Sequence, residues 1–210
     1  MRMTALLCAA LLAACATQPE PPTWQPNAKD ALDGFVDDYL RGNTAAANAE
    51  FVRARRETSS TGRADLVAQV ELVRCGALAA SLEFDDCPGF AALANDATPQ
   101  QRAYAAYIGG RWDGLDAGLL PEQHRTVLAS GTLTGVADPL ARLVAAGALF
   151  KAGRIRPADI EAATATASAQ GWRRPLLTWL GVQLKRAEGA GDAAAAERLR
   201  RRIALASGQP

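Results

Sequence analysis

From residue 28 to the C-terminus the chain repeats one local pattern, and that pattern restricts it to helices. Apolar side chains recur at three- and four-residue spacing, and glycine, proline or asparagine then interrupts the run. Residues 28–41 carry Leu32, Phe35, Val36, Tyr39 and Leu40, and Gly42-Asn43 breaks the stretch. Residues 44–58 place Ala47, Phe51 and Ala54 on one face. Residues 63–82 carry Leu66, Val70, Val73, Ala77 and Leu82, which predicts a long amphipathic helix. Thr98-Pro99-Gln100-Gln101 is a helix start: Thr98 caps, Pro99 suits the first turn and Gln101 closes a capping box. That helix stops at Gly109-Gly110. Further starts fall at Pro121-Glu122, Asp138-Pro139 and Arg156-Pro157, and residues 173–187 and 192–206 complete the set. No stretch alternates apolar and polar side chains between hairpin turns. The expected fold class is all-α, built from antiparallel helical hairpins.

Composition agrees with close-packed helices. Alanine fills 47 of 210 positions and aromatic residues only 6%, where a β-sandwich would want more aromatic and β-branched side chains. The formal charge of +1 excludes a globally basic nucleic-acid binder. The single histidine excludes a multi-histidine metal site.

The N-terminus carries a different signal. Met1-Arg2 is a short positive start, and Ala5 to Ala14 is an uncharged apolar run, too short to span a bilayer. It ends Leu12-Ala13-Ala14-Cys15, which resembles the lipobox of bacterial lipoproteins. The resemblance implies a signal peptide over 1–14, cleavage before Cys15, and lipid on its thiol. Ala16, where an aspartate would retain the protein in the inner membrane, implies outer-membrane sorting facing the periplasm. Lipidation at Cys15 would make the membrane the first partner. Residues 15–27 contain Gln-Pro-Glu-Pro-Pro-Thr-Trp-Gln-Pro, which reads as an extended spacer ahead of a helical domain over 28–210.

Two cysteines remain beyond Cys8 and Cys15. Cys75 and Cys87 lie twelve positions apart, and Asp85-Asp86-Cys87-Pro88-Gly89 forms a turn. An oxidising compartment makes this pair a disulfide, the alternative being two buried thiols. Glu83, Asp85 and Asp86 lack the spacing of a calcium loop and read as a solvated turn.

Several hairpins share small residues at the crossing and larger ones beside them. In the last, Leu177, Leu180-Gly181 and Leu184 precede Gly191-Asp192, then Ala195, Leu199 and Ile203 follow. This is similar to tetratricopeptide repeats, in a degenerate form that residues 84–135 do not keep. The pattern fits either a right-handed tetratricopeptide-like array or a compact alanine-rich helical domain.

Charge is unevenly spread. Residues 15–100 carry a net −6, residues 101–172 a net +1 and residues 173–210 a net +5. Arg173, Arg174, Arg198, Arg201 and Arg202 belong to the basic end, which reads as a solvated helix face or as a contact for an acidic partner or lipid headgroups. His124 stands near Glu122 and Arg125 on an expected surface turn, in a structural role. No phosphate loop, dinucleotide fingerprint, nucleophile elbow or metal-ligand spacing is present, so no cofactor, metal or catalytic residue is expected. The function these features imply is a non-enzymatic, lipid-anchored adaptor that binds another envelope protein. The alternatives are a purely structural lipoprotein or an envelope enzyme such as a peptidoglycan-acting hydrolase. The enzyme would need a recessed carboxylate from Glu50, Glu57, Glu71 or Glu83 in a deep cleft.

Overall fold

The computed structural model describes residues 22–208. Cys15, residues 1–14 and most of the expected spacer lie outside the described residues.

Ten α-helices and one 3₁₀ turn make up the described chain, and no strand occurs among the described residues. They are α1 (Trp24–Arg41), α2 (Thr44–Ser59), α3 (Ala64–Ala80), α4 (Pro88–Ala91) and α5 (Pro99–Ile108). After a 3₁₀ turn at Ala117–Leu119 come α6 (Glu122–Ser130), α7 (Pro139–Lys151), α8 (Pro157–Gln170), α9 (Arg173–Gly189) and α10 (Ala193–Ser207).

Local chemistry sets the ends. The Thr98 hydroxyl accepts from the Gln101 backbone N–H while the Gln101 side chain accepts from the Thr98 N–H, the capping box read from sequence. Asp138 and Asp192 each accept from a first-turn N–H, of Ala141 and Ala195. Gly42, at φ +92°, closes α1 in the left-handed conformation that other residues adopt at a cost. One boundary differs from expectation: α1 begins at Trp24, inside the segment expected to be extended. Pro26 is compatible because it falls in the first turn, where backbone N–H groups have no intrahelical acceptor.

The centre of the fold is α3. Eleven of its seventeen residues are buried, on every side rather than along one stripe. The expectation of an amphipathic helix over 63–82 is therefore corrected: α3 is covered by α1, α2, α4, α5 and α7. The neighbour α7 is enclosed in the same way. Small residues allow the crossing. A Cβ placed at Gly147 of α7 would lie 2.0 Å from the carbonyl oxygen of Ala79 in α3. The hairpins α1–α2 and α9–α10 are the most extensive helix pairs, and α1 also packs on α9. Of the two expected architectures, these contacts between distant helices belong to the compact helical domain.

Trp179 of α9 is fully buried, and its indole N–H donates to the Ala80 carbonyl at 3.1 Å. This satisfies a carbonyl that the end of α3 leaves without an intrahelical partner. Arg174 performs a related task. It donates to the Tyr39 carbonyl at 2.7 Å, the Thr44 hydroxyl at 2.7 Å and the Glu83 carboxylate at 3.2 Å. Its guanidinium also lies 4.3 Å from the Tyr39 ring centroid. One side chain thus ties α9 to the α1–α2 turn and to the loop after α3.

Cys75 and Cys87 are disulfide-bonded, with Cα atoms 5.7 Å apart. The bridge fastens the loop before α4 to the middle of α3. Beside it the acidic turn is partly neutralised: Asp85 pairs with Arg74 at 2.8 Å, while Asp86 is largely exposed.

Candidate functional site

An open cleft of about 560 Å³ lies between α3, α5, α6, α7 and the 3₁₀ turn. Its position follows from the packing. The helices α5 and α7 lie on neighbouring faces of α3, and the short α6 does not fill the angle between them. The walls are aliphatic, with Leu72 and Val73 from α3, Leu119 from the 3₁₀ turn, and Leu140 and Val144 from α7. Three exposed glutamines stand around it: Gln69, Gln100 and Gln123. Arg125 and Asp138 also border it, and each has a task inside the protein. Arg125 donates to the Leu120 carbonyl at 2.6 Å, and Asp138 caps α7.

His124 and Tyr104 mark the inner part of the cleft. His124 is buried at 3% exposure on α6, which corrects the expectation of a surface turn. The inward face of α6 repeats at three residues, His124 and Val127, and directs the imidazole between two aromatic rings. Its ring centroid is 4.9 Å from that of Tyr107 and 5.5 Å from that of Tyr104. Burial holds the His124 pKa down, to about 4, against a smaller opposing pull from Asp138. The imidazole is therefore neutral at pH 7. Its Nδ1 is enclosed without a hydrogen-bond partner. A proton there would be an orphaned donor, so the N–H belongs on Nε2. The Tyr104 hydroxyl sits over Gly76, where an added Cβ would come within 3.2 Å of it. Burial raises the Tyr104 pKa, so the phenol stays protonated.

None of the four glutamates considered from sequence lines this cleft. Glu71 is buried, but Arg55 donates to it at 2.8 Å and Gly89 closes over its carboxylate. Glu50 pairs with Arg53 and Glu57 with Arg56. Glu83 pairs with Arg174 and lines a separate, smaller recess of about 210 Å³ beside the disulfide. Cys75, Asp85 and Cys87 form the one cluster of possible metal ligands among the described residues, and its two sulfurs are bonded to each other.

The basic residues divide. Arg174 is spent on the interior contacts described above, and Arg173 stands over Gly42. Arg201 pairs with Glu197 at 3.3 Å, and Arg200 pairs with Glu188 and Glu197. Arg198 and Arg202 are exposed on α10, with no ion pair among the described residues. Leu205, 80% exposed, lies on the same outward face. No helix among the described residues is long and apolar enough to cross a membrane.

Of the cleft residues, the sequence offered Gln100 and Gln101 as parts of a helix start, Val73 and Ala77 on the apolar face of a helix, and His124 as a structural residue. Their convergence had no sequence signal, because α3, α5, α6 and α7 meet only in the folded chain. No protein-family model, curated protein or solved structure matches this chain.

Proposed function

We propose that this chain is a lipid-anchored binding protein of the outer membrane, facing the periplasm, and that its α3–α5–α6–α7 cleft holds part of another envelope protein. The cleft is the observation that carries the reading. It combines an aliphatic wall with a few directed polar groups, the composition typical of recognition sites. The one carboxylate in its lining, Asp138, is engaged as the α7 cap, which favours the adaptor over the hydrolase. The lipobox-like Leu12-Ala13-Ala14-Cys15 supports the anchor. Arg198 and Arg202, with Arg201 beside them, supply a basic face suited to anionic headgroups or an acidic partner. Tethering to the membrane would raise the local concentration of both partners and so strengthen a modest contact.

The test is photo-cross-linking in cells from a reactive residue at Gln123, on the cleft rim, with Val52 on α2 as the control position. One reproducible envelope partner is expected from Gln123 and not from Val52. Recovery of no partner from Gln123, or of the same set from both, defeats the adaptor reading. A Cys15→Ser variant should accumulate as an unprocessed precursor; normal processing would defeat the anchor.

A further inference from the structure

We infer that the occupant of the cleft is an uncharged, apolar stretch of polypeptide whose backbone carbonyl is received by His124 Nε2–H. The inference rests on the binding reading above and names the chemistry of what is bound.

Charge decides the first part. The lining holds one cation and one anion, Arg125 and Asp138, and both already serve the protein's own backbone. Both are exposed at the rim, so an ionised side chain lowered onto the aliphatic walls would lose hydration with no counter-charge beside it. The polar groups left to a ligand are amides, a phenol and a neutral imidazole. The Gln100 and Gln123 amides offer both donors and an acceptor, the hydrogen-bonding inventory of a peptide unit, and Gln69, whose oxygen accepts from Gln101, keeps its donors. Gln69, Gln100 and Gln123 belong to three different helices, so they border the cleft from three sides. An extended backbone, with its alternating N–H and C=O groups, can use amides on more than one side.

The interior decides the second part. His124 is 97% enclosed, its Nδ1 has no hydrogen-bond partner among the described residues, and the residue borders the cleft. With Nδ1 sealed, the ring has one donor to offer, Nε2–H. Tyr104 borders the same space, with its hydroxyl over Gly76. A peptide carbonyl entering the cleft would satisfy the Nε2–H donor, with the Tyr104 phenol as a second donor bordering the same space. The aliphatic walls, Leu72, Val73, Leu140 and Val144, then receive side chains of the alanine, valine or leucine type. A fatty acid would fill the walls but leave the glutamine rim unused. A glycan would use the rim but find a single aromatic face, Tyr104.

The probe is a capped hexapeptide, Ser-Ala-Leu-Ala-Val-Ser, with an N-terminal fluorophore. Its binding is read by fluorescence anisotropy against the full chain in phospholipid nanodiscs, with empty nanodiscs as the blank. Saturable binding is expected. Replacing the central leucine by lysine or by glutamate should each weaken it about tenfold or more. His124→Phe, which keeps the ring contacts and removes the donor, should weaken it about tenfold. Gln100→Trp, an exposed rim change that leaves the core untouched, should block it. Lysine- or glutamate-containing peptides binding as well as the parent would overturn the proposal. So would full affinity in His124→Phe, or saturable binding of a fluorescent fatty acid or a chitin oligosaccharide in place of the peptide. A cross-linked partner from Gln123 with no peptide binding sinks this inference and spares the adaptor. Peptide binding with no cross-linked partner does the reverse.

Discussion

Gly147 and Ala79 bring two helices into backbone contact. A Cβ at position 147 would sit 2.0 Å from the Ala79 carbonyl oxygen and 2.6 Å from its carbonyl carbon. Neither atom can swing aside as a side-chain tip would. Gly147→Ala should therefore push α7 off α3 and destabilise the domain by about 3 kcal/mol. Gly181→Ala is the control, because nothing lies within 4 Å of its added Cβ and alanine favours a helix interior. Urea titration of both variants measures the difference; equal midpoints would contradict the close crossing.

Burial of His124 links stability to pH. The folded pKa is about 4 and the ordinary value is 6.5. Below pH 6.5 the unfolded chain takes up a proton that the folded chain refuses, so stability falls as pH drops from 6.5 toward 4. The full loss is about 3 kcal/mol. His124→Phe should remove this slope while leaving stability near pH 7.5 close to wild type. Thermal melts at half-unit pH steps test it, and an unchanged slope in the variant would reject the assignment.

Asp159 acts in a lower window. Its burial raises the pKa, but the Arg156 guanidinium and the Leu133 and Arg156 backbone N–H groups outweigh that and hold it below the usual value. A depressed carboxylate contributes stability above the unfolded value of 3.8 and loses it as pH falls through the folded value. Asp159→Asn should cost about 2 kcal/mol at pH 7, because an amide cannot accept from all those donors. Chemical denaturation at pH 7 measures it, and a loss below 0.5 kcal/mol, on the scale of ordinary surface changes, would show that the contacts are dispensable.

Arg174 is a bridge rather than a docking residue. Arg174→Met keeps most of the stem but removes donors from the Tyr39 carbonyl, Thr44 and Glu83. A destabilisation of about 2 kcal/mol is expected, with faster amide exchange at the end of α1. Arg202→Met, on the exposed face of α10, should stay within about 0.5 kcal/mol of wild type. Equal effects of the two changes would undo the distinction.

The Cys75–Cys87 bridge closes a twelve-residue separation. Reduction, or Cys87→Ala, should cost about 3 kcal/mol through the freed unfolded chain. Differential scanning calorimetry with and without a phosphine reductant checks this. A melting temperature that ignores the reductant would mean the loop is held by α4 packing alone.

Much of the helix order could be read along the chain, and the reason is that helix ends are local. Thr98 with Gln101, Asp138 and Asp192 satisfy first-turn N–H groups within three residues of themselves. Gly42 needs only its own left-handed conformation. The Cys75–Cys87 pairing was legible for a related reason, since the two lie twelve positions apart across a turn. The candidate cleft was not legible. Leu72, Tyr104, His124 and Leu140 are scattered over four helices, and nothing near any of them in sequence names the others. His124 reads as a surface residue beside Glu122 and Arg125 because its burial depends on Tyr104 and Tyr107, some twenty residues away.

The sequence by itself determined most of the helix starts and stops and that the helices pack by small residues. The tertiary structure alone decided that α3 is the central helix and that Arg174 faces inward. It also decided that an aliphatic cleft opens between α3, α5, α6 and α7. Capping and backbone conformation act over three or four residues, so the chain carries their record in order. Burial and close crossing act between residues such as Ala79 and Gly147, whose encounter depends on every helix between them being in place.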